Sequence, residues 1–384
     1  MSRAHTVAIV GLGAMGSAAA CHFARRGASV IGFDRFAPPH TLGSSHGETR
    51  IIREAYFEDP RYVPLVQRAY ELWRELERES GATLMRETGG LMIGREDGVL
   101  VRGARASAET HRLPFERLEA GEIRRRFPAL RPTDDMVAIW EPRAGVLFPE
   151  ACVLAHLALA AKAGADLHPD EPVESWRREG EGFELATKHG VYRTERVVLA
   201  ANAWLERLLP DVPLGLAVAR QPLFWFEPRA HAESFAPERL PIYLWEPEPD
   251  RFFYGFPAFH GQIKVATHGE GAVVDPDTVD REVRASEVDA LRQRLETYMP
   301  DAAGRFARAA VCMYANTPDG HFVIDRHPEH ERMLILSACS GHGFKFSSVI
   351  GELAADLLLE GTSSLDLDLF RLRHEERPWA GSIT

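Results

Sequence analysis

The chain has 384 residues, 45% hydrophobic and 26% charged, with a formal net charge of −11; it can bury a large core in about two domains, and nucleic acid is excluded as an expected partner. No apolar run of about 18 residues predicts a membrane span, and the first strand begins too early to leave room for a signal peptide. The four cysteines, Cys21, Cys152, Cys312 and Cys339, have neither zinc-site nor disulfide-framework spacing, so a reducing cytoplasm is the expected compartment and no metal is expected.

Val7-Ala8-Ile9-Val10 is a short apolar run, the signature of a buried parallel strand. Gly11-Leu12-Gly13-Ala14-Met15-Gly16 follows at once and matches G-x-G-x-x-G. Ser17 to Arg26 predicts a helix stopped by Gly27, and Ser29 to Phe33 a second strand that ends on Asp34. In that order the glycines serve a tight turn (Gly11), close approach of a pyrophosphate (Gly13) and helix packing (Gly16). The helix start faces phosphates, and the acid accepts ribose hydrogen bonds. The pattern predicts dinucleotide binding without separating FAD from NAD.

A Pro-, Gly- and Ser-rich loop leads to Glu48-Thr49-Arg50-Ile51-Ile52-Arg53. If helical, this piece puts both arginines on nearly one side, where with Tyr56 and Tyr62 they suit an anionic substrate or phosphates. The competing expectation is a pair of surface salt-bridge arginines. Pro60 to Ser80 reads as an amphipathic helix closed by Gly81, and Gly89 to Gly94 as a strand. Residues 101 to 135 are highly charged, with short helices around Ala104–His111 and Ala120–Phe127 and a solvated Arg124-Arg125-Arg126 face. Pro149 to Ala163 predicts a helix ended by Gly164. Strands are expected near Pro172–Trp176, Phe183–Ala186 and Val191–Arg193, and another from Arg196 to Ala201 that returns the chain to the nucleotide-binding sheet.

Residues 217 to 270 alternate and are rich in aromatics, which predicts antiparallel sheet with one buried face. Lys264 alternates with Ile263 and Val265, so it points to a face distinct from theirs, solvent or cleft. Ser286 is the expected cap of a helix to Met299. Toward the C-terminus, Ala309 to Tyr314, Phe322 to Asp325 and Leu334 to Ser337 read as strands. The Ser340-Gly341-His342-Gly343-Phe344-Lys345-Phe346 turn leads into a helix capped by Ser347 or Ser348 and ended by Gly361. His327 and His330 are too few for a metal site and are expected on the surface.

Five pieces together carry a resemblance: GLGAMG with Asp34, SSHGETRIIREAY, YGFP with Lys264 shortly after it, CMYANTPDGHFVID, and SGHGFKFSS. The chain resembles the monomeric sarcosine oxidase and N-methyltryptophan oxidase family of FAD-dependent amine oxidases over nearly its whole length. One departure is Asn202, where related proteins usually have Gly.

The resemblance implies an α/β fold of two discontinuous domains. A Rossmann-like FAD-binding domain would comprise residues 1–84, 145–216 and 318–384, and a substrate domain with a mixed, largely antiparallel sheet residues 85–144 and 217–317. It implies that Gly11, Gly13, Gly16 and Asp34 hold the ADP half of FAD. Ser44, Ser45, His46 and Arg50 would lie near the flavin ring, Gly343 and Phe344 would also bind the cofactor, and Cys312 would bond covalently to it. Arg53 and Lys345 would anchor a substrate carboxylate. Tyr254, Tyr314, His268, Gly341 and His342 would line the substrate cavity, and Lys264 would assist oxygen from the other flavin face.

The expected reaction is oxidation of sarcosine or a similar small N-methyl amino acid by oxygen, giving glycine or another amino acid, formaldehyde and hydrogen peroxide, in a monomeric enzyme. The nearest alternative substrates are N-methyl-L-tryptophan and cyclic imino acids such as pipecolate or proline. An inward Trp245, beside Leu244, would favour the small substrate; facing outward, it would leave space for N-methyl-L-tryptophan or a ring such as pipecolate or proline. An NAD-dependent dehydrogenase or a nucleotide-binding regulator would leave Cys312 and the SGHGFKF turn without a role.

Overall fold

The structure, a computed structural model, describes residues 5–372; the outermost residues of the expected FAD-binding domain, 1–4 and 373–384, lie outside the described residues. β1 (His5–Val10), α1 (Ala14–Arg25) and β2 (Val30–Phe33) follow the glycine pattern. The helix starts three residues earlier than Ser17, directly off the glycine turn. β1 and β2 are parallel, with Val7 beside Val30 and Val10 beside Phe33. Their apolar stretches are buried, as parallel strands covered on both faces must be.

Next come β3 (Arg50–Ile52), α2 (Val63–Ser80), β4 (Met85–Glu87), β5 (Gly90–Arg95), α3 (Val99–His111), β6 (Glu116–Glu119), α4 (Ala120–Arg126), β7 (Met136–Glu141), β8 (Gly145–Leu147) and α5 (Pro149–Lys162). The arginine pair is therefore not helical: Arg50 starts a strand paired with β8, and Arg53 leaves it. Two adjacent β-branched isoleucines, Ile51 and Ile52, favour that extended backbone. The chain continues through β9 (Asp166–His168), β10 (Val173–Glu179), β11 (Gly182–Thr187) and β12 (Gly190–Leu199). β12 joins two expected strands into one. Its first half is antiparallel to β11 and its second half parallel to β1, which explains why its sequence turns from polar to apolar midway.

The remaining elements are β13 (Ala217–Phe226), β14 (Ile242–Glu248), β15 (Arg251–Gly255), β16 (Ile263–His268), α6 (Ala285–Tyr298), β17 (Phe306–Asn316), β18 (Val323–His327), β19 (His330–Ser337) and α7 (Ser347–Ala355). The first sheet has the order β10-β11-β12-β1-β2-β9, with β19 joined to β12 and β18 to β19. The second has the order β17-β13-β16-β15-β14-β5-β7-β6, and β3-β8-β4 form a small third sheet.

The second sheet is not one-faced as expected. Gln221 to Phe226 and Ile242 to Glu246 are buried without interruption. Strand alternation sends Met92, Ile242 and Leu244 to one core and Leu91, Ile93, Tyr243 and Trp245 to another. At α6 the carboxylate of Glu287 takes the N–H of Arg284 at 2.8 Å, so the helix begins before Ser286. A 3-10 turn over Phe344–Phe346 precedes α7, which makes Ser347 its first residue and not its cap. His327 is buried and His330 half-buried, their rings 4.7 Å apart and both against Trp176, so they are not surface histidines. Among the described residues no group of three or more His, Cys, Asp or Glu could hold a metal, and no helix is long and apolar enough to cross a membrane.

Candidate active site

A cavity of about 360 Å³ runs from the glycine turn to the face of the second sheet. Its wall includes Gly11, Gly13, Asp34, Ser44, Ser45, Arg50, Arg53, Tyr254, His268, Cys312, Tyr314, Gly341, His342, Gly343, Phe344 and Lys345. Gly16, His46 and Lys264 are not among the residues lining it. These positions are spread over more than 330 residues of sequence; β12 returns parallel to β1 and β19 parallel to β12, while the second sheet brings Tyr254, His268, Cys312 and Tyr314.

At the first end the glycines have steric reasons to be glycine. Gly11 has φ +94°, and a Cβ there would lie 2.6 Å from the Ala200 carbonyl oxygen; a Cβ on Gly16 would overlap the Gly11 carbonyl oxygen. Asp34 accepts the Leu12 N–H at 2.7 Å and the Phe36 N–H at 2.9 Å, which fixes its carboxylate at the end of β2. Ser45 Oγ accepts the Ala14 N–H at 3.2 Å. Asn202 has φ +47°, a conformation Asn tolerates better than other side-chain residues, and its Nδ2 donates to Ser44 Oγ at 2.7 Å. The departure from Gly thus adds a tie to the Ser44 loop and leaves the turn intact.

The middle of the cavity is cationic. Arg50 donates to the carbonyls of Thr49 (2.8 Å) and Ser44 (2.9 Å), and its Nη2 lies 3.5 Å from Cys312 Sγ. Lys264 is 2% exposed, with Nζ donating to Gly47 O (2.7 Å), Thr49 O (2.7 Å) and Thr49 Oγ1 (3.1 Å). It faces the interior, and burial followed by Arg50 holds its pKa well below the ordinary lysine value. Glu150, at the start of α5, accepts the N–H groups of Gly47 and Glu48 at 2.7 and 3.1 Å and so shapes the loop that holds Lys264. His46 is buried, its pKa pushed down to about 3 by burial and then by Arg50, and its Nε2 has no hydrogen-bond partner in the protein. The glycine cradle and the fixed acid match the demands of the ADP half of FAD.

At the far end, Arg53 and Lys345 stand over the same Tyr56 ring, 4.3 and 5.0 Å from its centroid. Arg53 is fully buried, not a surface arginine. Its Nη2 donates to both carboxylate oxygens of Glu58, at 2.9 and 2.7 Å, and its Nη1 to Ala55 O at 2.8 Å. Lys345 donates to His342 O at 2.6 Å and to Tyr56 Oη at 3.4 Å. Burial, followed by Arg53, lowers its pKa to about 7. Glu58 is pulled down to about 2 by its cations, Arg53 first, against burial. Tyr56 Oη also makes a short hydrogen bond with His342 Nδ1. Tyr254 and Tyr314 hydroxyls are 3.4 Å apart, and the His268 ring lies 5.6 Å from that of Tyr314. Burial lowers His268 to about 4 and His342 to about 3, so both are neutral at pH 7. Trp245 turns away from the cavity onto Phe253 and Tyr298. Leu244, Phe57 and Phe252 are on the cavity wall instead, the two Phe rings 5.7 Å apart.

Sequence reasoning missed Glu58, Thr49 and Glu150. Thr49 sits inside the SSHGETR stretch and Glu58 five residues past Arg53, but only the folded loop shows which cation each meets.

The profile of the FAD dependent oxidoreductase (DAO) family matches residues 6–357. The chain is 46% identical to a monomeric sarcosine oxidase of Streptomyces avermitilis, over 96% of this chain and 97% of that protein. It is 35% identical to an N-methyl-L-tryptophan oxidase of Salmonella arizonae, over 95% of this chain and 97% of that one. The open form of NikD, an unusual amino acid oxidase essential for nikkomycin biosynthesis, has the same fold: TM-score 0.84, 24% identity, 97% and 98% of the two chains covered.

Proposed function

The chain belongs to the DAO family of FAD-dependent oxidoreductases, and we propose that it oxidises a small N-methyl amino acid, with sarcosine as the best substrate. Sarcosine, water and oxygen would give glycine, formaldehyde and hydrogen peroxide. Its relatives oxidise N-methyl amino acids, so the chain is an FAD-dependent oxidase acting on a CH–NH group. The observation that carries the proposal is the Arg53–Lys345 pair over Tyr56, two basic side chains buried on the cavity wall, Arg53 held by Glu58 and Lys345 by neutral oxygens alone.

When bound, FAD supplies the two-electron acceptor. Gly11, Gly13, Gly16 and Asp34 would hold its ADP half, with Ser44, Ser45, Gly343 and Phe344 further along the cavity. Cys312, whose Sγ lies 3.5 Å from Arg50 Nη2, is the proposed attachment point. Arg53 and Lys345 grip the carboxylate and thereby set the depth and angle of the N-methyl group. His268 and His342 put no positive charge beside the amine, which must be neutral before its C–H bond breaks. Tyr254 and Tyr314 shape the space around it. Lys264 and Arg50, held by fixed carbonyls, stabilise negative charge as it develops on oxygen. We expect a cytoplasmic monomer.

Trp245 does not narrow the cavity, so preference for sarcosine over N-methyl-L-tryptophan rests on Phe57, Phe252 and Leu244 filling the side-chain wall and on the higher identity to the sarcosine oxidase. Peroxide release from sarcosine, N-methyl-L-tryptophan, L-proline, L-pipecolate and methylethylamine tests it. Sarcosine is expected to give the highest kcat/KM and methylethylamine, which lacks a carboxylate, almost none. A higher kcat/KM for N-methyl-L-tryptophan overturns the small substrate, and parity of methylethylamine with sarcosine overturns the clamp.

A further inference from the structure

The small sheet that delivers Arg53 stops abruptly. The last pair of β3 and β8 is Ile52 with Gly145. The next backbone donors past Arg53, on Glu54 and Ala55, find no strand. Both are taken by one side chain: Glu141, the last residue of β7, accepts the Glu54 N–H on Oε1 at 2.6 Å and the Ala55 N–H on Oε2 at 2.8 Å. Glu141 is 1% exposed. A buried carboxylate that ends a sheet in this way lets the chain peel off the ladder and turn toward the cavity. The Ala55 carbonyl, on the other side of the residue so held, accepts from Arg53 Nη1 at 2.8 Å. The same segment is seated from the other side by α3: Ser107 Oγ donates to Tyr56 O, and Gly103 lies so close to the Phe57 backbone that a Cβ there would overlap it.

We propose that Glu141 is a positioning residue for the substrate carboxylate: by holding the two N–H groups that follow Arg53 it sets the place of the Arg53 guanidinium and of the Tyr56 ring that both basic groups approach. This rests on the carboxylate clamp proposed above.

The groups facing Glu141 make the device sensitive to protonation. Burial raises its pKa to about 7, the two N–H groups and Arg53 working the other way and the Glu54 carboxylate adding to the rise. Glu54 is itself raised by burial, against its partner Arg143 at 3.1 Å. Tyr70, whose hydroxyl donates to the Arg143 carbonyl, is neutral and shifted further up. Below about pH 7 a protonated Glu141 keeps one good acceptor oxygen in place of two. Glu58, His268 and His342 have values of about 2, 4 and 3, outside that window. Lys345 acts on the opposite limb, because it loses charge as pH rises through about 7.

The test uses the flavin-loaded enzyme and its Glu141→Gln variant, with Glu141→Asp, which keeps the charge at shorter reach, as the second variant should Gln fail to fold. At pH 8 the KM for sarcosine is expected to rise about 10-fold, the loss of one hydrogen bond to a charged acceptor. Reoxidation of the reduced enzyme by oxygen, followed separately, is expected to be unchanged. Wild-type KM should climb as pH falls from 8 to 6. Glu141→Gln should lose that climb, leaving only the opposite change from Lys345, and Glu54→Gln, which keeps both N–H bonds, should retain it. An unchanged KM in both Glu141 variants overturns the proposal, as does an equal slowing of reoxidation by oxygen, which would mark a general structural role. If Arg53→Gln raises KM while Glu141→Gln does not, this inference alone fails. If Arg53→Gln also leaves KM unchanged, the clamp fails and takes the inference with it.

Discussion

The two cationic regions of the cavity are held in different ways. Lys264 and Arg50 are met by backbone carbonyls of Ser44, Gly47 and Thr49, in a loop itself fixed by Glu150. Arg53 is met by a side-chain carboxylate, Glu58, both of whose oxygens accept from Nη2. A carbonyl neutralises no charge and cannot move away without moving the loop, so the first pair stays in place, with burial and Arg50 working against the charge on Lys264. Glu58 neutralises Arg53 in the free protein and stands where a competing carboxylate would act. On the proposed function, the Lys264 region would be the oxygen side, with a fixed field, and the Arg53 region the substrate side, where one carboxylate exchanges for another.

The sharpest break in the fixed region comes from Cys312→Ser. Acid-precipitated wild-type protein is expected to keep its yellow colour in the pellet, and the variant to release all of it. Free flavin from the wild type would remove the covalent link. Next in size is Lys264→Met, which keeps volume and removes the charge. Stopped-flow reoxidation by oxygen should slow by about 100- to 1,000-fold, the scale for losing one preorganised electrostatic contact, while anaerobic reduction by sarcosine changes far less. Equal losses in the two half-reactions would erase the division of labour between the regions.

On the exchange side, Arg53→Gln should lower kcat/KM by about 10- to 150-fold, the equivalent of roughly 1.5–3 kcal/mol for a charged hydrogen bond. Glu58→Gln moves the other way: acetate, a carboxylate with no oxidisable amine, should bind tighter, while the free variant melts lower because buried Arg53 has lost its partner. Acetate-induced changes in flavin absorbance and melting curves with and without acetate measure both. If Glu58→Gln weakens acetate, Glu58 is a support and not a competitor.

The smallest effect is in pH. Lys345, near 7 in the fold against 10.5 ordinarily, loses its proton as pH rises through 7, so acetate should bind about 10-fold more weakly at pH 9 than at neutrality. The stability sign is opposite. Between about pH 7 and 10.5 the unfolded chain holds a proton that the folded one lacks, so this group's contribution to stability rises with pH. Lys345→Met should abolish the alkaline weakening. Its persistence in the variant would assign it to another group.

The sequence by itself determined the first nucleotide-binding unit, because strand, glycine turn, helix and acid are contiguous and their period is local. It also pointed to Cys312, Arg53, Lys264 and Lys345 through short motifs. Only the tertiary structure decided how those residues are met. The arginine segment is a strand because it pairs with Gly145–Leu147, nearly 100 residues on, and no local periodicity encodes that partner. Trp245 faces away from the cavity because strand alternation in a two-faced sheet sends it to the opposite core from Leu244. His327 and His330 are packed rather than exposed because Trp176, from a different strand, covers them. Glu58 and Glu141 carry no motif at all. Their roles come from desolvation and from backbone donors left open where a sheet ends, and both are properties of the folded chain.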